Sequence, residues 1–434
     1  MKEKHLVVIS VDALVYEDLE YAKTLPNFGR LLAGGSVIKR IKTIYPSLTH
    51  PVHASIITGA PAGKTGIIRN ERLTPGAKEA PWYNFLSEIK CDTLLHAAKR
   101  AGVTTAVSTW PVTAKGDDVI DYLIPGVMNS YYREGVSVLD TYREYGAGEC
   151  LIDIVEEGIS RFGARDVHPE YDAFQVYCAS ELIRRYKPGL TLVHPSFVDN
   201  ARHTTGLFTD RVKEAVRQTD EWLGDIFSAI EDAGISDSTG IAVISDHGQL
   251  GIVRKLSVNA LLRDRGFILA TDEGELISWD AYCASGALSA HVYLRDKNDK
   301  KLYSEVYEYL TELARDKLCG FERVLTTEEA RELYGLDGDF SFVLETDGYT
   351  SFSEELCRPI VRGIDTGDYR WGAATHGHMP EKGPQPPFIV YGAGFKSGVA
   401  LECGSILDHA PTFAKYLGLE LRDAEGTPRV EVLE

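Results

Sequence analysis

No stretch of this 434-residue chain approaches the ~20 consecutive apolar residues that a membrane-spanning helix needs, so no membrane partner is expected. The chain opens MKEKHLVVISVDAL, an apolar run too short for a secretory signal and ending in an acidic residue, which points to a cytoplasmic location. Cysteine is scarce and scattered. Cys91, Cys150, Cys178, Cys283, Cys319, Cys357 and Cys403 include no CxxC pair, and their total of seven is odd; they read as reduced thiols used mostly in packing. Basic residues are outnumbered, 46 Lys and Arg against 64 Asp and Glu, a formal charge of -18. That balance argues against a groove for a nucleic-acid polymer and against an anionic membrane surface, while leaving room for a local cationic site, above all a metal site. Internal repeats and low-complexity tracts are also missing.

What is present is a series of short, β-branched apolar runs: Leu6 to Val11, Val103 to Ser108, Leu190 to His194, Ile241 to Ser245 and Phe388 to Tyr391. The first reads as a buried parallel strand and the others resemble it. Helical patterns lie between several of them. In the clearest, Thr209 to Ala233, Val212, Val216, Leu223, Ile226, Phe227 and Ile230 form one apolar face. The expected fold is α/β, a doubly wound, mainly parallel sheet flanked by helices. Residues from about Gly116 to Lys187 are rich in Tyr, Glu and Arg and read as helices and loops covering that sheet. From about Val253 the character changes, with alternation at Ala290 to Leu294 and a helical pattern from Lys301 to Lys317. The expected division is a catalytic core over 1–252, a smaller α+β insert over 253–361, and a return to the core over 362–434.

The stretch YPSLTHPVHASIITGAPAGKTGIIRN, Tyr45 to Asn70, carries the first functional signal. Thr49 sits just ahead of Pro51, a residue suited to a first helical turn, so its hydroxyl would stand at the positive end of a helix beside unpaired N–H groups. Such a place suits a phosphate. An ordinary N-cap threonine fits the same residues.

In a doubly wound sheet ligands bind at the carboxyl ends of the strands. Asp12 follows the first run, Asp199 comes shortly after the run ending at His194, and Asp246 with His247 follows the run ending at Ser245. Asp199 and His203 are four apart, on one face of any helix, although such pairs also occur as surface ion pairs. Asp246 and His247 end a buried strand, where two ionisable groups need partners; a solvated turn is the alternative. His376 and His378 lie in a Gly-Pro-bounded loop, and either could be solvent-exposed. Taken together, Asp12, Asp199, His203, Asp246, His247 and His376 supply enough carboxylates and imidazoles for two zinc-like divalent ions with positions open for substrate.

At this point the chain resembles the type I phosphodiesterase and nucleotide pyrophosphatase family of the alkaline phosphatase superfamily. The resemblance rests on VISVDAL, YPSLTHPVHASIITG with GIIRN, FVDNARHTTG, VISDHG, and THGH leading to PFIVYGAGFKSG. These pieces cover most of the core and little of the insert. The resemblance implies an alkaline phosphatase-like core and two divalent metal ions, Zn2+ foremost. Asp12, Asp246 and His247 with the Thr49 oxygen would hold one ion, and Asp199, His203 and His376 the other, with His378 as the alternative to His376. It implies that Thr49 attacks phosphorus to give a phospho-threonine intermediate, and that Asn70 donates to a non-bridging oxygen beside the Thr49 and His50 amides. The substrate would be a small phosphorylated molecule. A neutral Asn70 favours a diester or anhydride over a monoester, although Arg69, Arg202 and Lys64 leave the monoesterase reading open. Relatives that hydrolyse nucleotides tend to carry aromatic residues where this chain has His50 and His194, here read as substrate-binding. A phosphonate carbon-phosphorus hydrolase is the enzymatic alternative.

Overall fold

A computed structural model describes residues 4–77, 79–163, 167–316 and 319–434. The first apolar run forms β1 (His5–Ser10), buried along its whole length. It can be apolar throughout because both of its faces are covered: Leu6 and Val8 enter one core, Val7 and Ile9 the other. The other strands of the central sheet are β2 (Ser36–Lys42), β3 (Thr105–Ser108), β4 (Tyr122–Ile124), β5 (Leu190–Val193), β6 (Thr239–Ile244), β7 (Phe388–Gly392) and β8 (Ala400–Ser405). Their order is β8-β2-β7-β6-β1-β5-β3-β4.

β1 pairs in parallel with both β5 and β6, and β3 in parallel with β5 and β4. β7 departs from the expectation by running antiparallel to β6 and β2. An antiparallel strand covered on both faces shows the same unbroken apolar run as a parallel one, so composition carries no sign of its direction. The sheet is mainly parallel all the same.

Six helices matter for the site: α1 (Thr49–Thr58), α2 (Leu94–Ala101), α3 (Glu170–Tyr186), α4 (Phe197–Thr205), α5 (Asp210–Asp232) and α6 (His409–Leu417). Val52, Ile56 and Ile57 of α1, Leu94 and Leu95 of α2 and Phe413 of α6 share the core of Leu6 and Val8. Val176 of α3, Phe197 of α4 and the apolar stripe of α5 share the core of Val7 and Ile9 on the opposite face. α1 closes on Gly59, whose φ of 69° is the left-handed turn that a glycine adopts without strain.

Residues 253–361 carry a four-stranded antiparallel sheet built from Ala281–Gly286, Ser289–Leu294, Phe321–Thr326 and Phe342–Thr346. The helix expected over Lys301 to Lys317 is Lys300–Arg315, and Lys317 itself lies outside the described residues. Phe342, Val343 and Val306 belong to the same continuous core as Val8 and Ile56. This sheet therefore shares one apolar core with the layer that carries α1.

Candidate metal centre

Three features of the fold bring the ionisable residues to one edge. Asp12 and Asp246 each lie two residues beyond a strand, and β1 and β6 are parallel neighbours in register. The two carboxylates therefore emerge side by side: the Ala13 N–H donates to Asp246 Oδ1 at 3.2 Å and the His247 N–H to the same oxygen at 2.9 Å. α4 starts just past β5 and presents Asp199 and His203 one turn apart on its inner side. His376 arrives on the loop after Ala374–Thr375, a short strand paired with Leu250–Gly251.

Thr49 is the first residue of α1, and the N-cap position belongs to Leu48. The capping reading of Thr49 thus falls: its hydroxyl makes no cap bond, and Oγ1 lies 3.3 Å from His247 Nε2. The helix start is pinned from behind by His53, whose Nδ1–H donates to the Thr49 carbonyl at 2.8 Å and whose Nε2 meets Ser10 Oγ at 2.9 Å.

Donor atoms of Asp199, His203 and His376 converge within 4.8 Å of one another, as do those of Asp12, Asp199 and His247. His203 Nε2 is 2.9 Å from Asp199 Oδ2 and His376 Nε2 is 3.9 Å from Asp199 Oδ1. The opposite ring nitrogens are tied down: His203 Nδ1–H donates to the Ala374 carbonyl at 2.7 Å and His376 Nδ1–H to the Ser47 carbonyl at 3.2 Å. Second bonds of this kind fix the tautomer and leave Nε2 as the ligating atom. Gln249 steadies Asp199 in turn, donating to its Oδ1 at 2.5 Å. On the other side His247 Nε2 is 3.1 Å from Asp246 Oδ2 and 3.6 Å from Asp12 Oδ1. The rings of His247 and His376 stack at 3.9 Å and join the two halves. His378 is turned away, with Nε2 at 3.1 Å from the Lys382 carbonyl. A third convergent group joins Asp246 to His53 and His194; nothing in the sequence around His53 marks it as a donor.

The electrostatics are those of a site built around cations. Burial, then the charge of Asp199, pushes the Asp12 carboxyl well up, and burial, then Asp12, does the same to Asp246. His247 is pushed well down by burial and by His376, and His376 down to about 4 by burial. Asp12 Oδ1 and Asp246 Oδ2 are buried without a hydrogen-bond partner. An uncompensated buried carboxylate costs several kcal/mol. A divalent cation reverses that cost and, at once, favours the ionised acids and the neutral imidazoles. The donor set, with oriented Nε2 atoms and orphaned carboxylate oxygens, fits two such ions.

Beside these groups lies a cavity of about 370 Å³, lined by Asp12, Thr49, His50, Asn70, His194, Asp199, His203 and His376 among others. The structure thus brings both proposed substrate residues to the cavity. His50 meets Trp82 edge-on at 4.8 Å, and burial pushes its pKa down to about 3. His194 Nε2 is 3.2 Å from Asp12 Oδ2. Asn70 Oδ1 accepts the His50 N–H at 3.0 Å, so that amide is already engaged and does not stand free beside Thr49 as the sequence had suggested.

Aromatic walls come from Trp82, Trp110, Tyr171 and Tyr369, none of which the sequence singled out. Tyr171 alone had a mark, the Tyr-rich character of the 116–187 stretch, which also supplies Met128 and His168 to the cavity. Residues 253–361 contribute nothing to its lining among the described residues. Nor does any lysine or arginine. Arg202 is committed elsewhere, to Asp18 and to the Ala13 carbonyl at 3.2 Å; Lys64 donates to the Asp423 carbonyl at 2.6 Å; and Arg69 donates to the Ser285 carbonyl at 3.1 Å.

The model of the type I phosphodiesterase / nucleotide pyrophosphatase family matches residues 6–345. Ectonucleotide pyrophosphatase/phosphodiesterase family member 1 of Rattus norvegicus is 25% identical over 251 residues, 56% of this chain and 24% of the relative. Venom phosphodiesterase of Naja atra is 21% identical over 260 residues, 57% of this chain and 26% of the relative. The chain spans about a quarter of the length of these curated relatives. Human ectonucleotide pyrophosphatase / phosphodiesterase 5 superposes with a TM-score of 0.68 at 18% identity, over 99% of this chain and 100% of that one. The murine protein, in an inactive form in complex with AMP, superposes with a TM-score of 0.67 at 17% identity over 100% of both chains. At such identities the likeness shows a shared fold.

Proposed function

The chain belongs to the type I phosphodiesterase / nucleotide pyrophosphatase family, and from that premise we propose that it is a two-metal hydrolase of small phosphodiesters or phosphoanhydrides with Thr49 as nucleophile. The carrying observation is the cavity itself. Thr49, Asn70 and six candidate metal ligands converge on it or border it, and no lysine or arginine lines it among the described residues.

Asp12, Asp246, His247 and the Thr49 oxygen would hold one ion, and Asp199, His203 and His376 the other. Zinc is the first choice because mixed imidazole and carboxylate donors suit it, and other first-row ions fit such a set as well. When bound, the ions supply Lewis acidity and positive charge beside the reacting oxygens.

The chain's own residues do the rest. α1 holds Thr49 Oγ1 at the cavity floor, aimed at a phosphorus seated between the two ligand groups. Attack would form the Thr49 Oγ1–P bond as the bond to the leaving oxygen breaks, the hydroxyl proton passing to solvent; water would then bond to phosphorus as the Oγ1–P bond breaks, and a proton returns to the Thr49 hydroxyl. Asn70 offers its amide N–H to a non-bridging oxygen, where negative charge gathers. Trp82, Trp110 and Tyr369 exclude water and bear on the substrate's organic group. A monoester would bring a second negative charge with no lysine or arginine to meet it, so the diester is favoured.

The murine neighbour's complex with AMP supports a nucleotide as one candidate substrate, and the aromatic walls suit a flat ring better than His50 and His194 alone would. The test is kcat/KM for bis-p-nitrophenyl phosphate, thymidine p-nitrophenyl phosphate, p-nitrophenyl phosphate and phosphonoacetate. The two diesters should lead; a monoester or phosphonoacetate turned over faster than both would refute the assignment. A cytoplasmic location remains a proposal supported by the seven free thiols, and recovery from the secreted fraction on cell fractionation would contradict it.

A further inference from the structure

We infer that Tyr369, held by Glu71, is the positioning residue that fixes the Asn70 amide for catalysis; this rests on the reading of the site given above. Asn70 is the one neutral donor assigned to the phosphoryl group, and a planar amide serves only if its NH2 end faces the ligand. Two contacts set that end. The His50 N–H donates to Asn70 Oδ1 at 3.0 Å, and Asn70 Nδ2 donates to the Tyr369 hydroxyl at 3.4 Å.

The second contact is directional because of a third. Tyr369 OH donates its only proton to Glu71 Oε1 at 2.9 Å, so toward Asn70 the phenol oxygen has nothing but lone pairs. Turned over, the amide would set Oδ1 against those lone pairs and its NH2 against the His50 N–H, two repulsions in place of two bonds. The carboxylate of Glu71 thus selects the amide orientation through the phenol. One N–H of Asn70 is spent on this, and the other remains for a ligand in the cavity that Asn70, Thr49 and Tyr369 line together.

The chain of contacts is anchored at both ends. Glu71 is buried and pairs with Trp82 in an antiparallel bridge, and the Asn70 carbonyl accepts the Tyr83 N–H at 2.9 Å. The Tyr369 ring lies nearly parallel to His376 at 5.7 Å and is 5.8 Å from His203. A single side chain therefore ties the phosphoryl donor to the imidazoles of one candidate metal group. Sequence gives no hint of it, since Tyr369 stands 298 positions from Glu71.

A double-mutant cycle tests this. Zinc-loaded wild type, Tyr369→Phe, Asn70→Ala and the double variant are compared on bis-p-nitrophenyl phosphate, with zinc content and melting temperature measured on each. Tyr369→Phe should lower kcat by about tenfold or more with KM within about twofold, the pattern of a misplaced donor. In the Asn70→Ala background the same change should cost less than about twofold, because its target is gone. Glu71→Gln, which keeps an acceptor, should stay within about threefold of wild type, whereas Glu71→Ala should fall with Tyr369→Phe. This pair keeps the inference falsifiable should Tyr369→Phe fail to fold. A full Tyr369→Phe loss persisting in the Asn70→Ala background, or a rise in KM at unchanged kcat, would overturn the inference while leaving the proposed function intact. No turnover by wild type would overturn both.

Discussion

Thr49 and Asp246 approach the same imidazole, His247, yet their loss should read differently. Thr49 is one oxygen among several donors, so Thr49→Ala should abolish turnover and keep close to the wild-type zinc content. Asp246 takes two backbone N–H groups and faces His247 at 3.1 Å, so Asp246→Ala should lose zinc as well as turnover. Elemental analysis of the two variants decides it; equal zinc loss in both would contradict the division of roles. Half of this candidate ligand set, Asp12, Asp246 and His247, was legible in the sequence because a buried strand running into Asp or Asp-His is costly unless something pairs with it. The cavity walls were not legible. Trp82, Trp110 and Tyr369 sit in short irregular segments with no periodic pattern, Tyr369 opening a single 3-10 turn, and only the tertiary fold carries them to His50, His194 and His376. The commitment of Arg202 to Asp18 was hidden for the same reason, since in sequence an arginine one residue before a ligand reads as a substrate contact.

At the scale of elements, α1, β1, β5 and β6 declared themselves through apolar runs and a proline-bearing first turn. β2, β4 and β8 escaped: β4 is three residues long, and β2 and β8 are half exposed, so neither makes an unbroken apolar run. The loop carrying His376 is held by a strand outside the central sheet. Glu345, on Phe342–Thr346, accepts the Met379 N–H at 3.1 Å and faces Lys382 Nζ at 2.9 Å. Burial raises its pKa from 4.5 to about 7, with Lys382 pulling the other way. The folded state therefore holds this proton more tightly than the unfolded chain does. The stability it contributes is complete below about pH 4.5 and is lost as pH climbs through about 7. Glu345→Gln, permanently neutral, should flatten the fall in melting temperature across that window; an unchanged slope would show that Glu345 does not titrate there.

Across the whole molecule, one continuous core joins the central sheet to the sheet of residues 281–346, and the candidate site sits where the parallel strands end. We propose that residues 253–361 act as a buttress for α1 and the His376 loop, since they line none of the cavity among the described residues. The net charge of -18 then has a local counterweight in the ions that the buried carboxylates call for. The proposed reaction turns on Thr49 forming a bond to phosphorus, and acid-quench peptide mapping measures that directly. Zinc-loaded protein is mixed with bis-p-nitrophenyl phosphate, quenched in acid before the steady state, digested and weighed by mass spectrometry. A p-nitrophenyl phosphoryl group should appear on the peptide that contains Thr49, formed in step with one released p-nitrophenolate and absent from Thr49→Ala. An unmodified Thr49 peptide together with wild-type turnover by Thr49→Ala would contradict it.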